Sequence, residues 1–184
     1  DDVVRGDEGA DYLHGNQGAD TVSGGVGDDT VRGGQGDDRL SGDEGDDLVF
    51  GDLGNDTVAA GDGADTVQGG EGADRLEGGE GNDIVRGGQG DDWISGGAGD
   101  DWLSGDRGDD TLTGGAGADT FHVFAGQDRI TDFDAAGGDR LLLLPGAAWT
   151  VSQVGADAVV DLGGGALVIL VDVQVSSLGT GWIV

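Results

Sequence analysis

Aspartates recur every nine residues from Asp11 to Asp119, each with a glycine two places before it and one apolar residue two places after it. Carboxylates at a fixed interval can do two kinds of chemistry: acid–base work in pairs, or ligation of a hard cation through oxygen. Pairs such as Asp91–Asp92 invite the first reading, but they recur along the chain, and an active site is seldom written many times over. The two histidines, His14 and His122, stand far apart in sequence, and neither an HExxH nor a GxSxG motif is present. Without cysteine there is no thiolate metal site and no cysteine nucleophile. Without lysine the glycines do not read as a phosphate-cradling loop. The chemistry left is cation binding.

The whole composition leans the same way. Thirty-eight acidic residues face 8 basic ones, all arginine, for a formal charge of −30. That balance excludes nucleic acid and anionic membrane surfaces as partners, since both need a positive face. No apolar run is long enough to span a membrane.

Between Gly6 and His122 the chain divides into thirteen nonapeptides without insertion. Position 1 is glycine except at Ala60, position 4 is always glycine, position 6 is always aspartate and position 8 is always apolar. "DDVVR" before Gly6 fits the end of another copy, and "VFAGQDRIT" after His122 keeps Gly126, Asp128 and Ile130 in place. Three residues around position 8 predict a short strand whose middle side chain points inward and whose neighbours point outward. The six residues before it predict a tight turn in which glycine supplies positive φ. Position 2 is otherwise Asp7, Asn16, Asp43, Asp52 or Asp106, the residue types that best tolerate that conformation after glycine. Two repeats then make one 18-residue coil, and each repeat stacks on the second one along.

One buried aliphatic side chain per nine residues is too little to offset the entropy of ordering the other eight. The array is therefore expected to be disordered on its own and to need a cation. Calcium suits the ligands on offer, because it takes six to eight oxygens from carboxylates and backbone carbonyls. Thirteen loops in two alternating stacks leave gaps for about 11 ions. Residues 6–122 hold 29 carboxylates against 5 arginines, a charge that 11 calcium ions would nearly cancel. The candidate ligands are Asp11, Asp20, Asp29, Asp38, Asp47, Asp56, Asp65, Asp74, Asp83, Asp92, Asp101, Asp110 and Asp119, with Asp2 and Asp128 in register at the two ends.

The pattern glycine-glycine-x-glycine-x-aspartate-x-apolar-x resembles the calcium-binding repeat of the RTX (repeats-in-toxin) family, over about two thirds of the chain. The resemblance implies an all-β fold, a right-handed parallel β-roll (a β-solenoid) with calcium held in the GGxGxD turns. It places the roll at residues 1–131 and a C-terminal β capping region at 132–184. In that second part "DRITDFD" (128–134), "GDRLLL" (138–143) and the apolar finish "GWIV" resemble the C-terminal module of type I secreted RTX proteins. "GWIV" lacks the acidic residue that often precedes that ending in the secreted proteases. By resemblance this region carries an uncleaved secretion signal, the type I secretion apparatus is a partner, and the chain is a bacterial, secreted, extracellular module. Its expected place is the non-catalytic C-terminal part of a longer protein, with an upstream domain of the same parent chain as a further partner.

Outward positions 7 and 9 differ between the two stacks. Odd repeats present Tyr12, Arg32, Leu48, Phe50, Ile84, Arg86 and Trp102, while even ones are mostly Thr and Ser, interrupted by Arg39, Arg75, Glu77 and Trp93. Aromatics and arginines on an outer face mark contacts, so the odd face is expected to dock an upstream domain, the cap or a polysaccharide. The competing function is accordingly a substrate-binding module for polysaccharide or a surface. A structural array of the ice-binding kind would want an unbroken threonine ladder, which position 7 lacks.

Overall fold

The computed structural model describes residues 1–144 and 148–184. Thirteen strands of six residues follow one another at nine-residue intervals: β1 (Val3–Glu8), β2 (Tyr12–Gln17), β3 (Thr21–Val26), β4 (Thr30–Gln35), β5 (Arg39–Glu44), β6 (Leu48–Leu53), β7 (Thr57–Asp62), β8 (Thr66–Glu71), β9 (Arg75–Glu80), β10 (Ile84–Gln89), β11 (Trp93–Ala98), β12 (Trp102–Arg107) and β13 (Thr111–Ala116). Shorter ones complete the chain: β14 (Thr120–His122), β15 (Gln127–Ile130), β16 (Arg140–Leu142), β17 (Thr150–Val154), β18 (Asp157–Gly163) and β19 (Ala166–Leu170). Among the described residues the only helical element is one 3-10 turn, Val175–Ser177.

From β1 to β13 each strand pairs in parallel with the strand two along, in 18-residue register: Val22 opposite Leu40, Val31 opposite Val49. Two sheets result. One runs β1-β3-β5-β7-β9-β11-β13-β15 and continues into β19-β18-β17; the other runs β2 to β16 through the even-numbered strands. The architecture is a parallel β-roll of about eight turns, and each coil touches only its neighbours, as in other solenoids.

The strands are longer than the three residues that the sequence pattern predicts. Positions 2 and 3 of each repeat also pair with the coil 18 residues on, as Gly34 with Asp52 and Gln35 with Leu53, and the bend is confined to positions 4 and 5. Position 2 adopts positive φ where expected, at 67° for Asp7 and 79° for Asn16. The glycines of position 1 do not, so conformational freedom is not why they are glycine.

Position 8 makes the core. From Val22 to Phe121 these side chains are at most 3% exposed, one per half-coil, stacked in two columns that face one another between the sheets. At the last full coil Phe121 meets Phe133 (centroids 5.9 Å apart), and Phe133 meets Trp182 (6.1 Å). The C-terminal residues are built into the same sheets: Leu141 N–H donates to the Trp182 carbonyl at 2.7 Å, and β19 lies parallel to β15. β17, β18 and β19 form an antiparallel meander. Because Phe121 joins the column to this end, Phe121→Ala is expected to cost about 3–5 kcal/mol of stability, read by denaturant unfolding in saturating calcium.

Candidate metal sites between the coils

The position-6 aspartates stand where each bend re-enters a strand, and the stacking brings them together in two files. Asp20 to Asp119 are 1–3% exposed and Asp128 is 4% exposed, whereas Asp11 is half-buried and Asp2 exposed. In each file the backbone N–H of one aspartate donates to Oδ1 of the next: Asp29 to Asp47 at 2.7 Å, Asp47 to Asp65 at 2.7 Å, Asp92 to Asp110 at 2.8 Å. Asp2 joins by donating to Asp20, and Asp128 by accepting from Asp110 at 3.2 Å. All fifteen residues that the sequence singles out therefore lie in these two files.

The second oxygen is different. Oδ2 of twelve of these aspartates, Asp11 through Asp110, is buried without any hydrogen-bond partner. A buried carboxylate oxygen left unpaired is costly, and twelve such oxygens in regular array mark a built feature. The glycine of position 1 explains where each one sits. A Cβ at Gly24 would come inside 3.0 Å of both Asp29 Oδ2 and the Gly42 carbonyl oxygen, and the same pair of oxygens crowds Gly33, Gly51, Gly78 and Gly96. Position 1 is glycine to leave room for oxygen on both sides.

Burial and mutual repulsion raise the pKa values of these groups, making them weaker acids. Desolvation is the larger cause: it pushes Asp56, Asp92 and Asp101 up to about 7, and Asp47, Asp65 and Asp110 to about 6, with neighbouring carboxylates adding to it. Asp128 rises to about 7 for the same reasons. Asp38, Asp74, Asp83 and Asp119 are raised as well, again by burial first. The array holds carboxylates in places where charge is unfavourable unless a cation joins them.

Among the described residues no three acidic or histidine side chains converge on one point. Backbone carbonyl oxygens lie beside the carboxylates, as the Gly42 carbonyl and Asp29 Oδ2 do around Gly24, and would be the other ligands of an ion held there. This donor set is all oxygen, partly anionic and irregular, which fits calcium and does not fit a metal that wants nitrogen or sulfur.

Sequence profiles decide the family. The RTX calcium-binding nonapeptide repeat (4 copies) matches at residues 1–31, 23–58, 59–94, 86–121 and 95–130. The chain belongs to the RTX calcium-binding repeat family. Its roll is thus a calcium-binding RTX module, of a kind that is typically non-catalytic and typically found in secreted proteins. Among curated proteins none matches at a significant level. Two of the solved structures the chain is similar to are informative in their coverage. One is the solution structure of the AlgE6R3 subunit of the Azotobacter vinelandii mannuronan C5-epimerase, 31% identical, covering 61% of this chain and 80% of that one, with a TM-score of 0.47. The other is the extracellular lipase LipA of Serratia marcescens, 22% identical, covering 92% of this chain and 40% of the lipase, with a TM-score of 0.42. The chain thus spans less than half of the lipase. No helix among the described residues of the RTX chain is long and apolar enough to cross a membrane.

Two sets of residues in this RTX roll escape the sequence reading. Asp139 takes the next place in the odd file: its Oδ1 accepts from Asp119 N–H at 3.0 Å and its Oδ2 from Asp134 N–H at 2.7 Å. The acidic residues of position 5 form a third and fourth ladder, running the opposite way. Asp28, Asp46 and Asp91 accept from the backbone N–H of position 5 in the following coil, at 3.1, 2.8 and 2.9 Å.

On the outer face of the odd repeats the arginines lie over aromatic rings or beside carboxylates. Arg32 is 5.0 Å from the Phe50 centroid and forms an ion pair with Asp52, while Arg86 is 4.8 Å from that of Trp102. His122 is wedged between Trp102 and Phe124, with burial lowering its basicity. A groove of about 860 Å³ runs beside them, lined by Phe50, Gln68, Glu71, Gln89, Arg107 and Phe124 among others. The even face carries the same device once, with Arg75 only 3.7 Å from the Trp93 centroid.

Proposed function

We propose that this chain is a folding module switched by calcium: disordered where the ion is scarce, and ordered on binding about 11 ions. The observation that carries the reading is the file of buried, unpartnered Oδ2 atoms from Asp11 to Asp110. Calcium, when bound, supplies the positive charge those oxygens lack. The chain's own residues hold the oxygens in line, with position 1 leaving room, position 4 making the bend and the N–H of the preceding coil fixing Oδ1.

In the same reading the module leaves the cell unfolded through a type I apparatus and folds outside, where calcium is plentiful. Residues 132–184 cap the roll and carry the export signal, and the parent protein's own activity lies in an upstream domain. A polysaccharide-binding role for the odd face is less favoured, because Arg32 and Arg86 are already engaged by Asp52, Phe50 and Trp102. Equilibrium dialysis against calcium and against magnesium tests the proposal. About 11 calcium ions per chain, with magnesium unable to replace them, is the expected result; one or two ions, or equal binding of magnesium, would sink it.

A further inference from the structure

Ala60 is the single position-1 residue with a side chain. Position 1 does not use positive φ, so the backbone accepts alanine there without strain. Space is the difficulty. One coil before, a Cβ at Gly42 would fall inside 3.0 Å of Asp47 Oδ2 and the Ala60 carbonyl oxygen; one coil after, a Cβ at Gly78 would do the same to Asp83 Oδ2 and the Gly96 carbonyl oxygen. Ala60 has that Cβ, fully buried at 0% exposure. Asp65, the aspartate of its own repeat, keeps the common pattern in every other respect: it accepts from Asp47 N–H at 2.7 Å, donates to Asp83 at 2.9 Å and leaves Oδ2 buried and unpartnered.

From these facts we infer that Ala60 makes the gap between the Asp65 and Asp83 loops the weak calcium position of the odd file. The inference rests on the calcium reading above and adds to it that the sites are unequal. By the geometry of Gly42 and Gly78 the methyl group falls on the side of Asp65 Oδ2, where glycine elsewhere leaves room for oxygen. A close-packed interior has no slack to move it away. The odd file is thereby divided into two runs of regular gaps on either side of this one, while the even file, with glycine at position 1 in every copy from Gly15 to Gly105, is continuous.

Restoring the glycine is the direct experiment. The full chain and its Ala60→Gly variant are compared by equilibrium dialysis and by a far-UV circular dichroism titration with calcium. The variant is expected to fill this gap at calcium concentrations where the unaltered chain leaves it empty, binding about one more ion per chain there, and to complete its transition at lower calcium. Glycine costs backbone entropy, so such a gain cannot come from the chain alone. Gly78→Ala copies the defect one coil further on and is expected to remove about one ion. An Ala60→Gly variant with unchanged stoichiometry and midpoint overturns the inference, whether or not Gly78→Ala folds. A wild-type chain that binds no calcium would instead bring down the calcium reading itself.

Discussion

Removing calcium at neutral pH is expected to abolish the β signal of this protein altogether, leaving a far-UV circular dichroism spectrum of coil. The effect should be complete, because the opposing terms act along the whole roll. Asp20 to Asp119 are buried, those up to Asp110 with their second oxygens unpaired, and most of them are pushed up to about 6 or 7 or in the same direction. At pH 7.5 they must therefore be ionised at a cost or protonated against the solution. Only one column residue per nine, such as Val49 or Leu103, works against that. The unfolded chain, at a formal charge of −30, expands by self-repulsion. Returning calcium should restore the spectrum, while magnesium should not, since its small octahedral shell loses water reluctantly and fits irregular carbonyl cages poorly. A roll that persists in excess chelator would show that hydrogen bonds and the apolar columns suffice.

Acid is expected to do part of what calcium does. An unfolded aspartate titrates near 3.9, whereas in the metal-free roll Asp56, Asp92, Asp101 and Asp128 titrate at about 7 and Asp47, Asp65 and Asp110 at about 6. Between these values the folded state binds protons that the unfolded state does not. Its stability therefore rises as pH falls through 7 and 6, is fully developed below about 4, and is lost as pH climbs back. Calcium-stripped protein that is coil at pH 8 should thus gain β structure on acidification to about pH 4. Protons and calcium compete for the same oxygens, so in mild acid, where the stripped chain has regained the protonated roll, calcium should bind more weakly than at neutrality, and its binding there should release protons measurable in a pH-stat. A calcium midpoint indifferent to pH between 5 and 8 would contradict this, as would a stripped chain that stays coil in acid.

The parts of this structure legible in the sequence are those that repeat without change. Asp at position 6 and an apolar residue at position 8 announce the two files and the two columns, and the 18-residue register follows from strand alternation. Position 1 shows the limit: glycine there looks like turn chemistry, and only the oxygens around Gly24 and Gly78 reveal that it is a matter of room. Asp139 stays hidden because it accepts from a residue 20 places back, where every regular copy spans 18. "GGDRL" nonetheless keeps the repeat's order of glycine, aspartate and apolar residue. The ladders of position 5 are invisible for another reason. Their donors are backbone N–H groups, and in copies such as Ala64 the position carries no acceptor of its own. The finish "GWIV" reads as an apolar tail, whereas Trp182 is 8% exposed and its carbonyl accepts from Leu141.

The ladders of positions 5 and 6 lean in opposite directions, so every coil is fastened to the one before it and to the one after it, and to no other. Under tension such a stack has no shared breaking point. Pulled from its N-terminus, the roll would unwind coil by coil from β1, each event releasing 18 residues, or about 60 Å of extended chain. The force needed would be set by one coil's fastenings and the calcium beside it, whatever the number of coils remaining. The process would change character only at Phe121, Phe133 and Trp182, where three rings take over from the repeating oxygens.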